Sequence, residues 1–375
     1  MNVAIAIDSL KGSLSSMEAA DAIKEGILKA HPSANVSTYP LADGGEGTVD
    51  AIIEGLGAKK ISLTVTGPLN SSIEAYYGFI KASKTAIIEM ASAAGITLLS
   101  PKELNPYLTT TFGVGEMILD AVKKGAKTFI IGIGGSATND GGTGMLKALG
   151  YSFLDENEKP IREGCQDLEK IKSIIPPSDL SFLFDITFHI ACDVKNPLLG
   201  EQGATYVFGP QKGLVFDHLE AVDSAMAHYA HVASNLCGTD YSTFPGAGAA
   251  GGLGFAFKTF LHANLTPGVD LILDLIHFDA ALEDVDIVVT GEGRLDRQTS
   301  MGKAPIGVAK MAQKKGIKVL AFAGGVTEDA IACNAAGITA FFPILRTITT
   351  LEKAMEKEQA RTNMIATVEQ VFRLL

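Results

Sequence analysis

The chain has 375 residues, of which 47% are hydrophobic and 19% are charged, and its formal net charge is −11. This composition is typical of a globular protein, and the length predicts more than one domain. The negative charge disfavours nucleic acid and anionic membranes as partners. No apolar run approaches the roughly 18 residues that a membrane span needs. The 40 glycines exceed the usual frequency of about 7% and cluster in loops, which indicates tight turns and close backbone approach to ligands.

The cysteines and the first residues indicate the cellular compartment. The chain has 4 cysteines and no CxxC pair, which favours a reducing setting over a disulfide framework. The opening segment MNVAIAIDSLK lacks a basic stretch, so it predicts a first strand rather than a signal peptide. We therefore expect a cytoplasmic protein, either a monomer or a homodimer.

Strands and helices alternate at the start of the chain. Val3–Ile7 predicts a buried strand, and a helix follows from Ser16. Ser15 and Glu18 have the spacing of a capping box at the start of that helix. A second strand is predicted near Val36–Tyr39. This alternation is typical of a parallel, layered α/β unit.

The last third of the chain repeats this alternation, whereas the middle differs. In the last third we predict strands at Ile287–Thr290, Val319–Ala323 and Ala340–Pro343. We predict helices there at Pro305–Lys315, Thr327–Ala336 and Leu351–Leu375. Leu63–Gly78 and Lys84–Met90 predict antiparallel strands in the middle. The pattern predicts two α/β domains. One is a mostly parallel, Rossmann- or flavodoxin-like domain made of residues 1–75 and 285–375, and the other is an inserted mixed-sheet domain of residues 76–284. We expect the active site in the cleft between them.

The segment from Val288 to Pro305 crowds charged residues behind a predicted strand. Arg294, Asp296, Arg297 and Lys303 follow a Gly-Glu-Gly turn within about a dozen residues. Because ligands bind where strand ends meet loops in open α/β sheets, this cluster indicates an anion site, most plausibly one that moves a phosphoryl group. The alternative is a solvated loop with surface charges.

Two earlier loops also join a strand to a helix. In the first, Lys11 supplies a positive charge near a helix N-terminus and Asp8 would orient it, although a capped turn with a surface lysine explains the pattern equally well. In the second, ADGGEGT, Asp43 and Glu46 are candidates for binding hydroxyl groups. Two acids in a tight glycine loop favour a ligand or a cation over a purely structural role.

The segment from Gly132 to Gly142 resembles a dinucleotide fingerprint. Gly132, Gly134 and Ala137 fit the pattern GxGxxG/A, but Thr-Asn-Asp-Gly-Gly follows where a helix should open. A loop that cradles phosphates is the better interpretation.

Two further segments leave their role open. Asp193 follows a predicted strand and would accept a proton or hold Mg²⁺, unless it only starts a turn. The glycine-rich segment from Pro245 to Gly254 would bind phosphate through its backbone or act as a close-packed hinge.

Together, the segments resemble a known family. In order, they are DSLKGSLSSMEAA, ADGGEGTVDA, GGSATNDGG, ACDVKNPLLG, PGAGAAGGLG and VTGEGRLDRQTSMGKAP. This set closely resembles the bacterial glycerate kinases, with a small departure at Leu10, where the family usually carries Phe. The resemblance implies ATP-dependent phosphorylation of D-glycerate with Mg²⁺, generally to 2-phosphoglycerate. It also implies two α/β domains, one of them discontinuous, with the site in the cleft.

On this resemblance we assign candidate roles to the loop residues. The candidate catalytic residues are Lys11, Asp193, Arg294 and Asp296. The candidate substrate-binding residues are Asp8, Ser9, Asp43, Gly44, Gly45, Glu46 and Lys303. The candidate nucleotide-binding residues are Gly134, Gly135, Ser136, Thr138, Asn139, Asp140, Gly248 and Gly251. Asp193 is the one candidate metal ligand.

Other functions compete with this one. Transfer to the 3-hydroxyl, or to a related small hydroxy acid, would need little change in loop geometry. The glycine pattern at Gly132 leaves open an NAD(P)-dependent oxidoreductase. A two-domain sensor that binds a carboxylate without consuming ATP is the non-enzymatic alternative.

Overall fold

The structure is a computed structural model that describes residues 1–45, 47–179 and 181–375. Its strands, numbered in chain order, are β1 (Asn2–Ile7), β2 (Asn35–Pro40), β3 (Lys59–Thr66), β4 (Ser72–Ile80), β5 (Thr85–Glu89), β6 (Thr128–Gly132), β7 (Ser152–Leu154), β8 (Ser173–Ile175), β9 (Thr187–Ala191), β10 (Asn264–Thr266), β11 (Ile287–Leu295), β12 (Lys318–Val326) and β13 (Ala340–Pro343). Its α-helices are α1 (Ser16–Ala30), α2 (Thr48–Leu56), α3 (Ala91–Ala94), α4 (Phe112–Lys123), α5 (Thr143–Ala148), α6 (Ala204–Phe208), α7 (Leu219–Cys237), α8 (Leu253–Leu261), α9 (Gly268–Leu275), α10 (Phe278–Ala281), α11 (Ala304–Lys314), α12 (Ala332–Ala335), α13 (Leu351–Met355) and α14 (Lys357–Phe372).

The chain folds into two compact units. The first consists of Met1–Asp43, Asp50–Gly57 and Val269–Leu375, and the second consists of Gly44–Val49 and Ala58–Gly268. The expected α/β class, with one parallel and one mixed sheet, is confirmed. Among the described residues, no helix combines the length and the apolar composition that crossing a membrane requires.

The sheet of the first unit is entirely parallel. Its strand order is β13-β12-β11-β1-β2, so β1 and β11 lie side by side. The chain leaves β1 towards β2 on one side and returns at β11 on the other, which makes this pair the topological switch point. Ligands of doubly wound sheets bind beyond the carboxyl ends of the strands at such a point.

Apolar residues cover both faces of this sheet. On one face, Ile23 of α1 and Met364 of α14 share a core cluster with Ile5 of β1, and on the other Val269 of α9 and Ile306 of α11 share one with Ala6 of β1. Burial on both faces explains why β1 is apolar without alternation. The predicted capping box is also confirmed, because Ser15 Oγ accepts the N–H of Glu18 at 3.2 Å while a Glu18 oxygen accepts the N–H of Ser15 at 3.0 Å.

The second unit is built on a six-stranded mixed sheet. Its order is β10-β9-β6-β5-β4-β3, in which β3–β4 and β4–β5 are antiparallel and the other pairs are parallel. The predicted antiparallel strands in the middle of the chain are therefore confirmed. Strands β7 and β8 form a separate antiparallel pair.

The division between the units falls at other residues than the expected positions 75 and 284. Strand β3 pairs with β4 over its whole length, so the chain already belongs to the second sheet from Lys59 onwards. At the other boundary, Leu273 of α9 and Phe278 of α10 pack in the core of the first unit. Pairing and packing partners far along the chain thus set both boundaries.

The predicted single helix from Leu351 to Leu375 is wrong. The structure contains two helices, α13 and α14, separated by Glu356 with φ −56° and ψ 127°. Thr350 caps α13 by accepting the N–H of Lys353. The two helices have different neighbours: α14 packs on α1, whereas α13 borders the pocket described next.

Candidate active site

A pocket of about 520 Å³ lies at the carboxyl ends of β1, β11 and β12 in the first unit. Its polar lining comes from the loop after β1, from the end of β11, and from Gly324 and Gly325 of β12. The structure brings together seven of the candidate site residues here: Asp8, Ser9, Lys11, Asp43, Arg294, Asp296 and Lys303. The pocket lies at the switch point of the sheet, where the strand order predicts a ligand site.

Three basic residues, Lys11, Arg294 and Lys303, line this pocket. The Arg294 side chain is 68% exposed, and its Nε lies 3.8 Å from Asp296 Oδ2. Lys303 Nζ lies 3.7 Å from Glu292 Oε2, and the residue directly precedes helix α11. Neither distance is that of a hydrogen bond, so both cations can turn towards an incoming anion.

The pocket also contains carboxyl groups that burial makes less acidic. Asp8 is 8% exposed, and burial, together with the nearby Asp43 carboxylate, raises the pKa of Asp8 to about 7. The N–H of Ser9 donates to Asp8 Oδ1 at 2.7 Å, which opposes that rise. A carboxyl group with a pKa near neutrality is suited to exchange protons with a substrate.

The structure adds Glu292, a pocket residue that the sequence interpretation missed. Burial raises the pKa of Glu292, while a hydrogen bond from Thr299 and the nearby Lys303 partly offset that effect. The sequence interpretation ended the strand at Thr290 and took Glu292 as part of a turn. Strand β11 continues to Leu295 beside β12, which places Glu292 at the carboxyl edge of the sheet. An acid between two glycines at the end of a buried strand was the available signal.

Other candidate residues belong to the second unit. Asp193 is an exposed residue after β9, and its Oδ1 accepts the N–H of Gly268 at 3.0 Å. Gly44 packs so closely against Ala191 that a β-carbon there would lie 2.4 Å from the alanine side chain. Gly45 is next to it, and Glu46 lies outside the described residues.

The predicted phosphate loop after β6 is largely buried. Thr138, Asn139 and Asp140 have no exposed surface. Asp140 Oδ2 accepts both the N–H and the hydroxyl of Thr111 at 2.8 Å, so this carboxylate joins the loop to the start of α4. These three side chains therefore have an internal position in the structure. A role of this loop in binding nucleotide stays a prediction, and Gly134 and Gly135 are its exposed residues.

A buried lysine supports the same loop. Lys212 Nζ donates to Ser136 Oγ at 2.8 Å and to the Thr138 carbonyl oxygen at 2.6 Å. Burial of the ammonium group lowers the pKa of Lys212 to about 7, although Asp140 opposes that shift. The loop thus rests on a group that is poorly solvated when charged.

The two glycine-rich loops that were considered for nucleotide binding pack against each other. Gly251 has φ +64°, and a β-carbon there would lie 2.1 Å from the Thr138 carbonyl oxygen. A β-carbon at Gly248 would lie 2.1 Å from the Pro197 carbonyl oxygen. Only glycine fits the Gly251 position, because a side chain would meet both backbone strain and a collision. Close packing between loops explains much of the glycine content of this segment.

A magnesium ion is compatible with the carboxylates present. Among the described residues, no group of three or more His, Cys, Asp and Glu side chains is arranged to hold a metal ion. Magnesium usually binds through one or two carboxylates together with substrate phosphates, so a preformed protein cage is not required. The exposed carboxylate of Asp193 fits this mode of binding.

Comparisons with known proteins cover nearly the whole chain. A family model described as the glycerate kinase family matches residues 3–375. The chain is 44% identical over 356 residues to a glycerate kinase of Bacillus subtilis strain 168, covering 95% of this chain and 93% of the relative. It is 42% identical over 354 residues to a glycerate 2-kinase of Escherichia coli K12, covering 94% and 93%. A crystal structure from Salmonella typhimurium LT2 described as glycerate kinase 2 matches with a TM-score of 0.92 and 42% identity, covering 100% of this chain and 98% of that chain.

Proposed function

Since this chain belongs to the glycerate kinase family, we propose that it transfers the γ-phosphoryl group of ATP to the 2-hydroxyl of D-glycerate. The observation that carries the proposal is the first-unit pocket, where Lys11, Arg294 and Lys303 line the same cavity as the buried carboxyl groups of Asp8 and Glu292. Phosphoryl transfer depends mainly on positioning and charge neutralisation, and this set of side chains supplies both.

The basic residues bind the negative groups of the reactants. The Arg294 guanidinium has the planar geometry to hold the glycerate carboxylate through two hydrogen bonds. Lys11 and Lys303 neutralise the charge on the transferring phosphoryl group. Ser9 and Asp43, which line the same pocket, bind glycerate hydroxyl groups.

One carboxylate accepts the proton of the attacking hydroxyl. The oxygen of that hydroxyl forms a bond to the γ-phosphorus, the bond from phosphorus to the ADP oxygen breaks, and the hydroxyl proton passes to the carboxylate. Asp193 and Asp296 were the candidates from the sequence. The structure adds Asp8, because its pKa of about 7 matches the range in which a general base works best.

Magnesium would accompany ATP, with Asp193 as its protein ligand. When bound, the ion would neutralise part of the phosphate charge. The protein's own contribution there is an exposed carboxylate after β9, whose Oδ1 is held by the N–H of Gly268.

An oxidoreductase is a weaker alternative. The dinucleotide fingerprint requires a helix to open at its glycine turn, whereas the helix after β6 begins only at Thr143. Calorimetric titration with NAD(P) tests this alternative, and we expect no binding.

A coupled assay tests both the activity and the position of transfer. The protein is incubated with D-glycerate and Mg-ATP, and enolase reports 2-phosphoglycerate. We expect signal without phosphoglycerate mutase. Signal only after mutase is added would mean transfer to the 3-hydroxyl. ATP that remains intact would favour another acceptor or the sensor that only binds a carboxylate.

A further inference from the structure

Seven of the residues that line the first-unit pocket are apolar, which a three-carbon hydroxy acid does not explain. Its apolar lining consists of Leu10, Ile344, Leu345, Leu351, Ala354, Met355 and Ala360. Three of these are among the exposed large hydrophobic side chains of the described chain: Leu345 at 44%, Leu351 at 74% and Met355 at 36%. Every carbon of glycerate carries oxygen, so glycerate offers these side chains no apolar surface to cover.

The apolar wall is built by the short helix α13. Leu351 and Met355 are four residues apart on this helix, so they lie on one face of it. Met355 packs against the loop after β1, where a β-carbon at Gly12 would lie 2.7 Å from Met355 Cε. The wall therefore adjoins the loop that carries Lys11, and the apolar and cationic parts of the lining belong to one cavity.

We propose that this apolar wall binds the aromatic base of the nucleotide, with the phosphate chain directed towards Lys11 and Lys303. The inference rests on the proposed kinase function. A purine base has two apolar faces and a flat shape, which suit a wall of leucine and methionine. The attached polyphosphate needs cations, and Lys11 and Lys303 line the same cavity.

The size of the cavity agrees with this occupant. At about 520 Å³, the pocket lies within the range of about 300–1,000 Å³ that is usual for sites of small molecules and cofactors. The glycine-rich loops of the second unit are weaker candidates for the base, because they pack against each other through Gly251 and Thr138. A base bound in this cavity would explain why Leu351 and Met355 of α13 are exposed in its absence.

The absence of tryptophan from the sequence allows a direct test of binding. A Leu351→Trp variant places one indole on the wall, and Leu374→Trp places one at a position that is 85% exposed and outside the pocket lining. Each variant is titrated with adenosine, with ADP and with inorganic tripolyphosphate. We expect adenosine and ADP to change the fluorescence of Leu351→Trp saturably and to leave Leu374→Trp unchanged. No response of Leu351→Trp to adenosine or ADP would overturn the inference, as would equal responses of both variants.

A kinetic comparison gives a second, independent test. Leu351→Asp removes apolar contact and adds a negative charge, so we expect the KM for ATP to rise about tenfold or more, with a much smaller change in the KM for glycerate. Leu374→Asp is the matched control and should leave both constants unchanged. A rise in the KM for glycerate alone would assign the wall to the acceptor and overturn the inference.

The two tests separate this inference from the proposed function. If wild-type protein phosphorylates glycerate while Leu351→Trp ignores adenosine and ADP, the inference fails and the function stands. If wild-type protein does not phosphorylate glycerate while Leu351→Trp binds adenosine, the proposed acceptor is wrong and the base-binding wall stands.

Discussion

The hydroxyl of Thr299 donates a hydrogen bond to the Glu292 carboxylate, with Oγ1 and Oε1 2.5 Å apart. Thr299 has no exposed surface and Glu292 is 8% exposed, so water hardly competes for this contact. The N–H of Thr299 also donates to Asp296 Oδ1 at 3.2 Å. One buried threonine thus holds two pocket carboxylates from the loop between β11 and α11.

Removing that hydroxyl should weaken the folded state. Thr299→Val keeps the shape of the side chain but leaves a buried Glu292 oxygen without this donor, so we expect the free energy of unfolding to fall by about 1–3 kcal/mol. Urea titration measures the change. Ser300→Ala is the control, because its hydroxyl donates to the Arg297 carbonyl in an exposed setting, and its effect should stay within about 0.5 kcal/mol. Equal losses in both variants would contradict the account.

Asp8 should make kcat/KM fall at acid pH, which is the acid limb of the pH profile. Because its pKa is raised to about 7 and a base must be deprotonated, kcat/KM for glycerate should rise with pH and level off above about pH 7. Asp8→Asn should lower kcat by orders of magnitude and abolish this limb. Asp21→Asn, an exposed position on α1, should keep it. An unchanged pH profile in Asp8→Asn would remove Asp8 as the base.

Lys212 should make stability depend on pH in the alkaline range. Its pKa in the folded state is lowered to about 7 from an ordinary value of 10.5, so between these values the unfolded chain binds a proton that the folded chain lacks. The contribution of this group to the free energy of unfolding therefore rises with pH across that window.

Lys212→Met tests this dependence by its slope rather than by its absolute stability. The free energy of unfolding, measured by urea titration, should rise less between about pH 7 and about pH 9.5 in Lys212→Met than in wild type. Lys195→Met, at an exposed position, should match the wild-type rise. If the free energy of unfolding rises equally in Lys212→Met and in wild type, Lys212 is charged in the folded state and the account is contradicted.

Asp193→Asn should leave the fold intact and cut kcat by orders of magnitude. Its carboxylate is exposed and makes a hydrogen bond to Gly268 that an amide oxygen can also accept, so thermal unfolding should change little. Asp185→Asn is the control, because the Asp185 side chain is 85% exposed and forms a surface ion pair with Lys127 at a distance of 3.7 Å. Wild-type turnover by Asp193→Asn would exclude this residue as base or metal ligand.

Local signals predicted the parts of the fold that depend on neighbouring residues. Strand β1, helix α1 and the capping box of Ser15 and Glu18 follow from apolar spacing and a four-residue motif. The pocket cluster of Lys11, Arg294 and Lys303 was also predictable, because each lies at or just after the carboxyl end of a strand of one parallel sheet. Carboxyl ends of parallel strands meet at one edge whatever the distance along the chain.

Partners far along the chain determined what sequence reasoning missed. The nucleotide-binding role of Asp140 stays a prediction, but the sequence did not show that Thr111 donates to its carboxylate, or that Lys212 supports the adjoining loop from more than 70 residues away. The place of Met355 in the pocket depends on the break at Glu356, and no local pattern marks that break. The end of the first unit before β3 likewise depends on pairing with β4.

The most direct test of the account compares two arginines three residues apart. Arg294 lines the pocket, whereas Arg297 is exposed and outside its lining. With D-glycerate and Mg-ATP, Arg294→Ala should lower kcat/KM for glycerate by about 100-fold, as expected for loss of a charge-assisted contact, and Arg297→Ala should match wild type. An unchanged kcat/KM in Arg294→Ala would contradict the assignment of the first-unit pocket as the site of phosphoryl transfer to glycerate.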